Sequence, residues 1–284
     1  MWLLIKGTGA LITVLTAWRP VQASTKSAES AGGTYGSPGV LGRVASIWRY
    51  PIMGLQGEVL AAAAVSGHGV IGDHGYVVRD VQTGAVLDPK SHPYSWGETT
   101  ALSRLIEFKC ELLGARGEGD SFRLTMPGGG SREGGAADVG GVLSEALSRE
   151  VEVVRYPRIV ETRAAAGRTI HLLTAASLAR IGSLHPSGNF DLRRFRPNIF
   201  VELTAEGFVE EDWLGRTLAL GRDLRIKVEK PNIRCVVTTL PQGPLAEDKG
   251  ILESVEKYNG KKLGVMCSVS SGGVVSAGNR LVFA

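Results

Sequence analysis

The sequence predicts a mostly β fold of the α+β class, with short helices set between strands. Three observations carry this. Apolar runs rich in β-branched residues are short and close together, as in Ile199 to Leu203, Thr217 to Leu220 and Arg225 to Glu229. Glycine punctuates them, with 38 in 284 residues, and glycine supplies the positive φ that tight turns require. Helical periodicity is confined to a few isolated stretches. Short strands at even spacing with glycine turns point to a barrel or sandwich rather than a doubly wound sheet. No internal repeat is present.

In chain order, Met1 to Ser24 carries Lys6, a mostly apolar stretch from Gly7 to Trp18, and the small-residue site Val21-Gln22-Ala23. This is the outline of a signal peptide and is too short and interrupted for a membrane span. A weak membrane anchor and an upstream start extension are the other readings. Residues 25–41, rich in Ser, Gly, Thr and Ala, are expected to be a disordered linker. The fold is expected to begin near Leu41, with a strand from Arg43 to Trp48 broken at Tyr50-Pro51. Glu58 to Val65 is a second apolar segment. A glycine-rich turn at Gly69 to Gly75 leads into the strand Tyr76 to Asp80, and Val81 to Gly84 closes a hairpin into Ala85-Val86-Leu87. Thr100 to Phe108 has Leu102, Leu105 and Ile106 on one helical face. Strands are expected at Phe108 to Leu113 and Ser121 to Met126, a loop at Pro127 to Gly135, and a short amphipathic helix at Val142 to Arg149.

A second half starts near Val151. The strand Thr169 to Leu173 runs into a helix over Thr174 to Ile181 with Thr174 as its N-cap. A strand that feeds a capped helix start leaves free N–H groups, a seat for phosphate as much as an ordinary cap. His185 to Gly188 is a turn, and Glu206 to Trp213 an acidic segment. Beyond the runs named above, strands are expected at Cys235 to Leu240, Val265 to Val269, Val274-Val275 and Leu281 to Phe283, with a helix at Ile251 to Tyr258.

Composition narrows the function classes. Hydrophobic residues make up 43% and charged residues 21%, ordinary for a folded domain. The net charge is +4 with no continuous Lys/Arg block, which argues against a nucleic-acid partner and for a local anion pocket. Cys110, Cys235 and Cys267 are odd in number, widely spaced and without a CxxC pair, so neither a disulfide framework nor a zinc ribbon is indicated. The count fits a reducing compartment. The five histidines, His68, His74, His92, His171 and His185, show no ligand spacing, and Gly128-Gly129-Gly130 lacks the lysine and helix of a nucleotide loop.

The residues best suited to chemistry lie between Arg193 and Thr239. Cys235 opens an apolar run and follows Arg234, and cationic surroundings favour a thiolate, the form that binds metal. Taken alone it reads first as a small buried hydrophobe rather than a reactive group. Arg196 precedes Pro197, which biases it towards an extended backbone and a set direction for its guanidinium. Asn198 offers an amide that donates and accepts. The bland reading of Arg193 to Asn198 is a surface turn with solvated arginines.

Arg193 to Ile199, Glu211-Asp212-Trp213-Leu214-Gly215, Arg234 to Thr239 and Gly264-Val265 together resemble the MOSC domain of molybdenum-cofactor sulfurases. Residues 43–90, with Tyr50-Pro51, Gly72-Asp73 and Thr83-Gly84, resemble the N-terminal β-barrel region that precedes it in relatives, which sets the expected domains at 42–150, β-rich, and 151–284, MOSC. The resemblance implies a β-barrel that binds the molybdenum cofactor (Mo-molybdopterin), with Cys235 as ligand to molybdenum. In the amidoxime-reducing relatives the implied pterin and phosphate contacts would fall on Thr174, Arg196, Asn198 and Arg234, with His74 standing where relatives carry arginine. Ile52-Met53-Gly54 replaces their Val-Lys-Ser, and Gly278-Asn279 their Gly-Asp.

The expected activity is a molybdenum-dependent reductase of N-hydroxylated or similarly oxygenated small molecules, fed by separate electron-transfer proteins. No flavin, iron–sulfur or pyridoxal phosphate site is evident; pyridoxal phosphate belongs only to the sulfurase association. The alternatives are a non-enzymatic carrier of the cofactor or of sulfur, and a scaffold whose cofactor site has degenerated. The absence of a twin-arginine pair makes the cytoplasm the expected compartment, with a membrane-anchored or secreted form if residues 1–24 act as anchor or signal.

Overall fold

The structure, a computed structural model, describes residues 39–87, 104–114, 120–156, 161–163 and 165–284. The expected signal or anchor segment, nearly all of the expected linker, His92 and the first residues of the expected helix at Thr100 to Phe108 lie outside these residues. The strands are β1 (Val40–Arg49), β2 (Glu58–Leu60), β3 (Ala62–Ser66), β4 (Gly69–Val70), β5 (Tyr76–Asp80), β6 (Lys109–Leu113), β7 (Ser121–Thr125) and β8 (Ser131–Gly135). They continue with β9 (Val151–Arg155), β10 (Ile170–Thr174), β11 (Ile199–Glu202), β12 (Thr217–Leu220), β13 (Leu224–Ile233), β14 (Lys262–Ser271), β15 (Gly273–Ser276) and β16 (Arg280–Phe283). The helices are α1 (Ala136–Leu147), α2 (Ala175–Leu184), α3 (Leu192–Phe195) and α4 (Gly250–Asn259).

Seven strands close into a mixed barrel in the order β11-β10-β14-β13-β12-β16-β1, with β1 pairing back onto β11. Only β10 and β11 run parallel. Closure leaves no free edge among these strands, and alternate side chains fill the interior. Ile47, Leu172, Val201, Ile226 and Val265 are among those fully buried there. The opposite face of β10 differs: Leu173 packs outward with Ile181 of α2, Phe195 of α3 and Val255 of α4.

A second layer is built from the pair β5–β9, the sheet β6-β7-β8 and α1, around Phe122, Leu105, Leu124 and Leu143. β1 belongs to the barrel, whereas β9 pairs with β5 in the second layer. A buried ion pair stitches them: Arg49 Nη2 lies 2.8 Å from Glu58 Oε1 and donates to Leu112 O at 3.2 Å.

Several local expectations change. The predicted loop Pro127 to Gly135 contains β8, whose glycines pair with β7 while Arg123 bonds Glu133 across the strands. The helix predicted from Val142 starts at Ala136, because Asp138 Oδ2 accepts from Gly135 N (2.8 Å) at its first turn. Of the helix predicted over Thr100 to Phe108, the described part is one 3-10 turn, Leu105–Glu107. Ala85-Val86-Leu87 returns to β5 by a single bridge at Arg79–Val86. Cys235 to Leu240, predicted as a strand, is a 3-10 turn over Val236–Thr238.

Candidate functional site

Cys235 sits where the chain leaves β13. Arg234 N still bonds Lys261 O at 2.7 Å, and Cys235 is extended and caps the 3-10 turn. Its carbonyl accepts from Thr238 N (3.1 Å) and Thr238 Oγ1 (2.9 Å), while Thr239 Oγ1 bonds Val236 O (2.7 Å). These hydroxyls offer the backbone local partners in place of a sheet, which is why a β-branched run forms a turn. The Cys235 side chain is half-buried against Ile106, Val237 and Leu240.

Arg194 holds this loop from behind. It is 1% exposed, and donates through Nη1 to Thr238 O and Leu240 O, each at 3.2 Å. Its Nη2 bonds Ala246 O (2.7 Å) and its Nε bonds Asn189 O (3.0 Å). Arg193 is engaged elsewhere, paired with Asp191 at 2.7 Å. Of the arginine cluster read from sequence, these two are therefore structural.

Arg196 and Arg234 are placed differently. Arg196 closes α3 in the left-handed region at φ 50°, not in the extended conformation expected before proline. The helix end decides this: Arg196 N bonds Leu192 O (3.3 Å) as a left-handed cap. Its guanidinium lies over the Tyr50 ring, 4.2 Å from the centroid. Arg234 Nη2 donates to Phe195 O (2.7 Å), and its buried Nε has no partner among the described residues. Burial, opposed by Cys235 and Tyr50 and reinforced by Arg196, pushes the Arg234 pKa down to about 10.

Tyr50, Asp73, His74 and Arg163 complete the group. Tyr50 Oη donates to Pro197 O (3.1 Å), and Tyr50 N donates to Asp73 Oδ1 (2.8 Å). His74 is left-handed at φ 53°, held by His74 N to Tyr50 O (2.7 Å) and by Nδ1 to Asp73 Oδ2 (2.7 Å). Arg163 Nη1 reaches the same oxygen at 3.4 Å. Burial, aided by Arg163 and Arg196 and opposed by Asp73, pushes the His74 pKa down to about 4. Burial would raise Asp73, but His74, Arg163 and the Tyr50 N–H outweigh it and hold the carboxyl at about 2. At neutral pH the pair is thus a carboxylate and a neutral imidazole.

Asn198 is buried at the barrel wall. Its Oδ1 accepts from His171 N (3.0 Å), its Nδ2 reaches Trp48 O (3.4 Å), and His171 Nδ1 lies 3.2 Å from Arg196 O. Thr174 caps α2 by accepting from Ser177 N (3.1 Å), but it shares the interior parity of Ile170 and Leu172. Its hydroxyl donates to the buried Glu210 Oε2 (2.7 Å). The structure thus gathers Cys235, Arg234, Arg196 and His74 and sets Asn198 behind them, while Thr174 faces Glu210. Sequence reasoning missed Arg163 and gave Tyr50 and Asp73 no site role; the Tyr-Pro and Gly-Asp pairs were the available signal for the latter two. Met53 and Gly54 form a turn toward the second layer, with Met53 N on Tyr76 O (2.9 Å).

Among the described residues no helix is long and apolar enough to cross a membrane, and no three His, Cys, Asp or Glu side chains converge as a metal cluster. Of the solved structures that resemble the chain, the YUAD protein from Bacillus subtilis is 10% identical, with 84% of this chain and 93% of that one covered and a TM-score of 0.46. YiiM from Geobacillus stearothermophilus is 21% identical over 41% of this chain and 54% of that one, with a TM-score of 0.30. YiiM from Escherichia coli is 18% identical over 42% and 55%, with a TM-score of 0.31. No curated protein matches the chain. The family model of the MOSC domain, a domain associated with molybdenum-cofactor sulfurases, matches residues 160–282. These residues carry β10 to β15 and nearly all of β16, so the MOSC match spans most of the barrel, which β1 completes from outside the matched range.

Proposed function

We propose that the chain binds the molybdenum cofactor through Cys235 and reduces N-hydroxylated or related oxygenated small molecules. The observation that carries this reading is the junction at the end of β13. There a half-buried thiol follows a desolvated guanidinium whose Nε has no protein partner among the described residues. A buried donor left in that state costs free energy unless a ligand meets it, and a thiolate is the soft donor a molybdenum centre takes. The nearby positive charge fits an anionic pterin phosphate: Arg196 lies over Tyr50 and close enough to Arg234 to help depress its pKa, and Arg163 reaches Asp73.

When bound, the cofactor supplies the two-electron chemistry. In this reading Cys235 ligates the metal and Arg196 and Arg234 hold the anionic groups. Asn198 fixes the β1–β11–β10 junction beneath Arg196. His74 keeps its proton on Nδ1 toward Asp73, which leaves Nε2 as an acceptor. Electrons come from a separate redox protein, and the protein works in the cytoplasm.

Expression in a cofactor-producing host tests the reading. Stoichiometric molybdenum and pterin in the purified protein, both lost in Cys235→Ser, with turnover of N-hydroxylated compounds on a competent electron donor, is the expected result. Molybdenum-free protein indifferent to Cys235→Ser would sink it. Bound molybdenum without turnover would instead make the chain a carrier of the cofactor.

A further inference from the structure

Arg163 is the guanidinium in this region that the protein uses least. Its side chain is 23% exposed, yet among the described residues its only contact is the 3.4 Å approach of Nη1 to Asp73. Asp73 does not need it: Tyr50 N and His74 Nδ1 bind that carboxylate at 2.8 and 2.7 Å. Arg193, at 30% exposure, by contrast spends Nε and Nη2 on Asp191, and buried Arg194 engages three nitrogens on four carbonyls. A guanidinium carries five N–H donors in a rigid fork, and removing most of it from water with one long contact is unfavourable unless something else meets it.

The geometry indicates where that partner lies. Asp73 joins Arg163 to His74, the His74 and Tyr50 rings are 6.0 Å apart, and Arg196 lies over Tyr50. Arg163 is held by Asp73 at one end of this linked group and Arg196 by the Tyr50 ring at the other, so two guanidiniums are joined through one carboxylate and two rings. We infer that Arg163 is an anion-binding residue of this site, and that with Arg196 it seats a doubly charged phosphate monoester. The inference rests on the proposed cofactor reading for the identity of the monoester, but not for the existence of the seat. Asp73 and His74 serve as the mount, holding Arg163 by one oxygen while its other donors stay available.

Titration of cofactor-free protein with inorganic phosphate, against chloride at matched ionic strength, tests the seat by calorimetry and thermal shift. Wild type should bind phosphate. Arg163→Gln should bind it about ten- to a hundredfold more weakly, the loss expected for one charge-assisted pair. Arg222→Gln, at a side chain 94% exposed, should leave the affinity unchanged. Wild type that does not distinguish phosphate from chloride overturns the proposal, as does Arg163→Gln with wild-type affinity. Should Arg163→Gln not fold, Arg163→Lys decides: weakened phosphate binding supports a forked seat, and unweakened binding overturns it.

Molybdenum and pterin content, measured on the same variants from a cofactor-producing host, separates the two readings. Phosphate binding that needs Arg163 in a chain that never holds molybdenum keeps the seat and removes the cofactor. Molybdenum retained equally by wild type and Arg163→Gln, with equal phosphate affinity, removes the seat and keeps the cofactor.

Discussion

Glu210 Oε2 lies 2.7 Å from Thr174 Oγ1 and 2.6 Å from Ser177 Oγ, so one of the protein's own carboxylates closes the N-terminus of α2. A helix start attracts negative charge through its free N–H groups and dipole, and here Glu210 supplies it from the 3-10 turn Val209–Trp213. The turn sits against the barrel interior, where Trp213 and Val209 join the core. Thr174, expected to help seat the cofactor phosphate, spends its hydroxyl on Glu210.

Burial raises the Glu210 pKa above the ordinary carboxylate value, although the Ser177 and Thr174 hydroxyls pull it down. The folded state then binds more protons than the unfolded one, so this contribution is present below about pH 4.5 and is lost as pH rises through the folded pKa. Glu210→Gln keeps an acceptor for both hydroxyls and should flatten the dependence of the unfolding midpoint on pH above 4.5. Glu210→Ala strands both hydroxyls and should cost about 1–3 kcal/mol at every pH. Superimposable midpoint profiles for wild type and Glu210→Gln would contradict the account.

His74 has the opposite sign. Its folded pKa of about 4 lies below the ordinary 6.5, so the unfolded chain takes up a proton first as pH falls. Stability is full above 6.5 and declines between 6.5 and about 4, by an amount on the order of 2–3 kcal/mol. Asp73 adds a further loss from 3.8 down to about 2. His74→Asn removes the upper part, because asparagine tolerates the left-handed backbone, carries an amide donor for Asp73 and does not titrate. Denaturant midpoints from pH 4 to 8 check the slope, and the imidazole proton shift on titration checks the pKa directly.

How much of this was legible in the sequence depends on whether the deciding contacts are local. β10 and α2 were, because a short, mostly apolar run ending in a threonine cap is written within a few residues. The closure of β1 on β11 was not: Ile47 pairs with Ile199, a partner that no local pattern names. The turn at Cys235 was misread because Val236-Val237-Thr238-Thr239 has strand composition, whereas Arg194 and the threonine hydroxyls capture its carbonyls. Arg196 was misread because the proline rule is local and the helix it caps was not foreseen. Arg163 carries no pattern at all; only the fold brings it to Asp73.

The role assigned to Arg194 gives a loop-specific prediction. Arg194→Met fills much of the volume but leaves the carbonyls of Thr238, Leu240 and Ala246 without their buried donor. The cost should be roughly 2–4 kcal/mol. Hydrogen exchange should accelerate over residues 235–246 well before it changes in β12 or β16. Uniform acceleration across the barrel would show that Arg194 serves global stability rather than the Cys235 loop.

Two glycines with positive φ separate strain from collision. A Cβ at Gly264 (φ 78°) would lie 2.5 Å from His171 Nε2 and 2.8 Å from Leu172 O, whereas at Gly278 (φ 85°) it meets nothing within 4 Å. Gly278→Ala should therefore cost only the backbone term, about 1 kcal/mol. Gly264→Ala should cost roughly 2–4 kcal/mol, since the strand or the His171 ring beside Arg196 must move. Equal midpoints for the two variants in thermal unfolding would contradict the close approach.

The three cysteines should divide cleanly by reactivity. Cys110 and Cys267 are fully buried, and burial pushes both thiols up, with Glu58 adding to the effect on Cys110. Cys235 is half-buried. An aromatic disulfide reagent at pH 8 should titrate one thiol in the native cofactor-free protein, none on that timescale in Cys235→Ser, and three in wild type after denaturation, since attack requires an accessible thiolate. Protein loaded with molybdenum should lose the fast thiol as well, because a sulfur bound to metal cannot attack the reagent. A fast thiol that persists at full strength in stoichiometrically loaded protein would mean that the metal is held without Cys235.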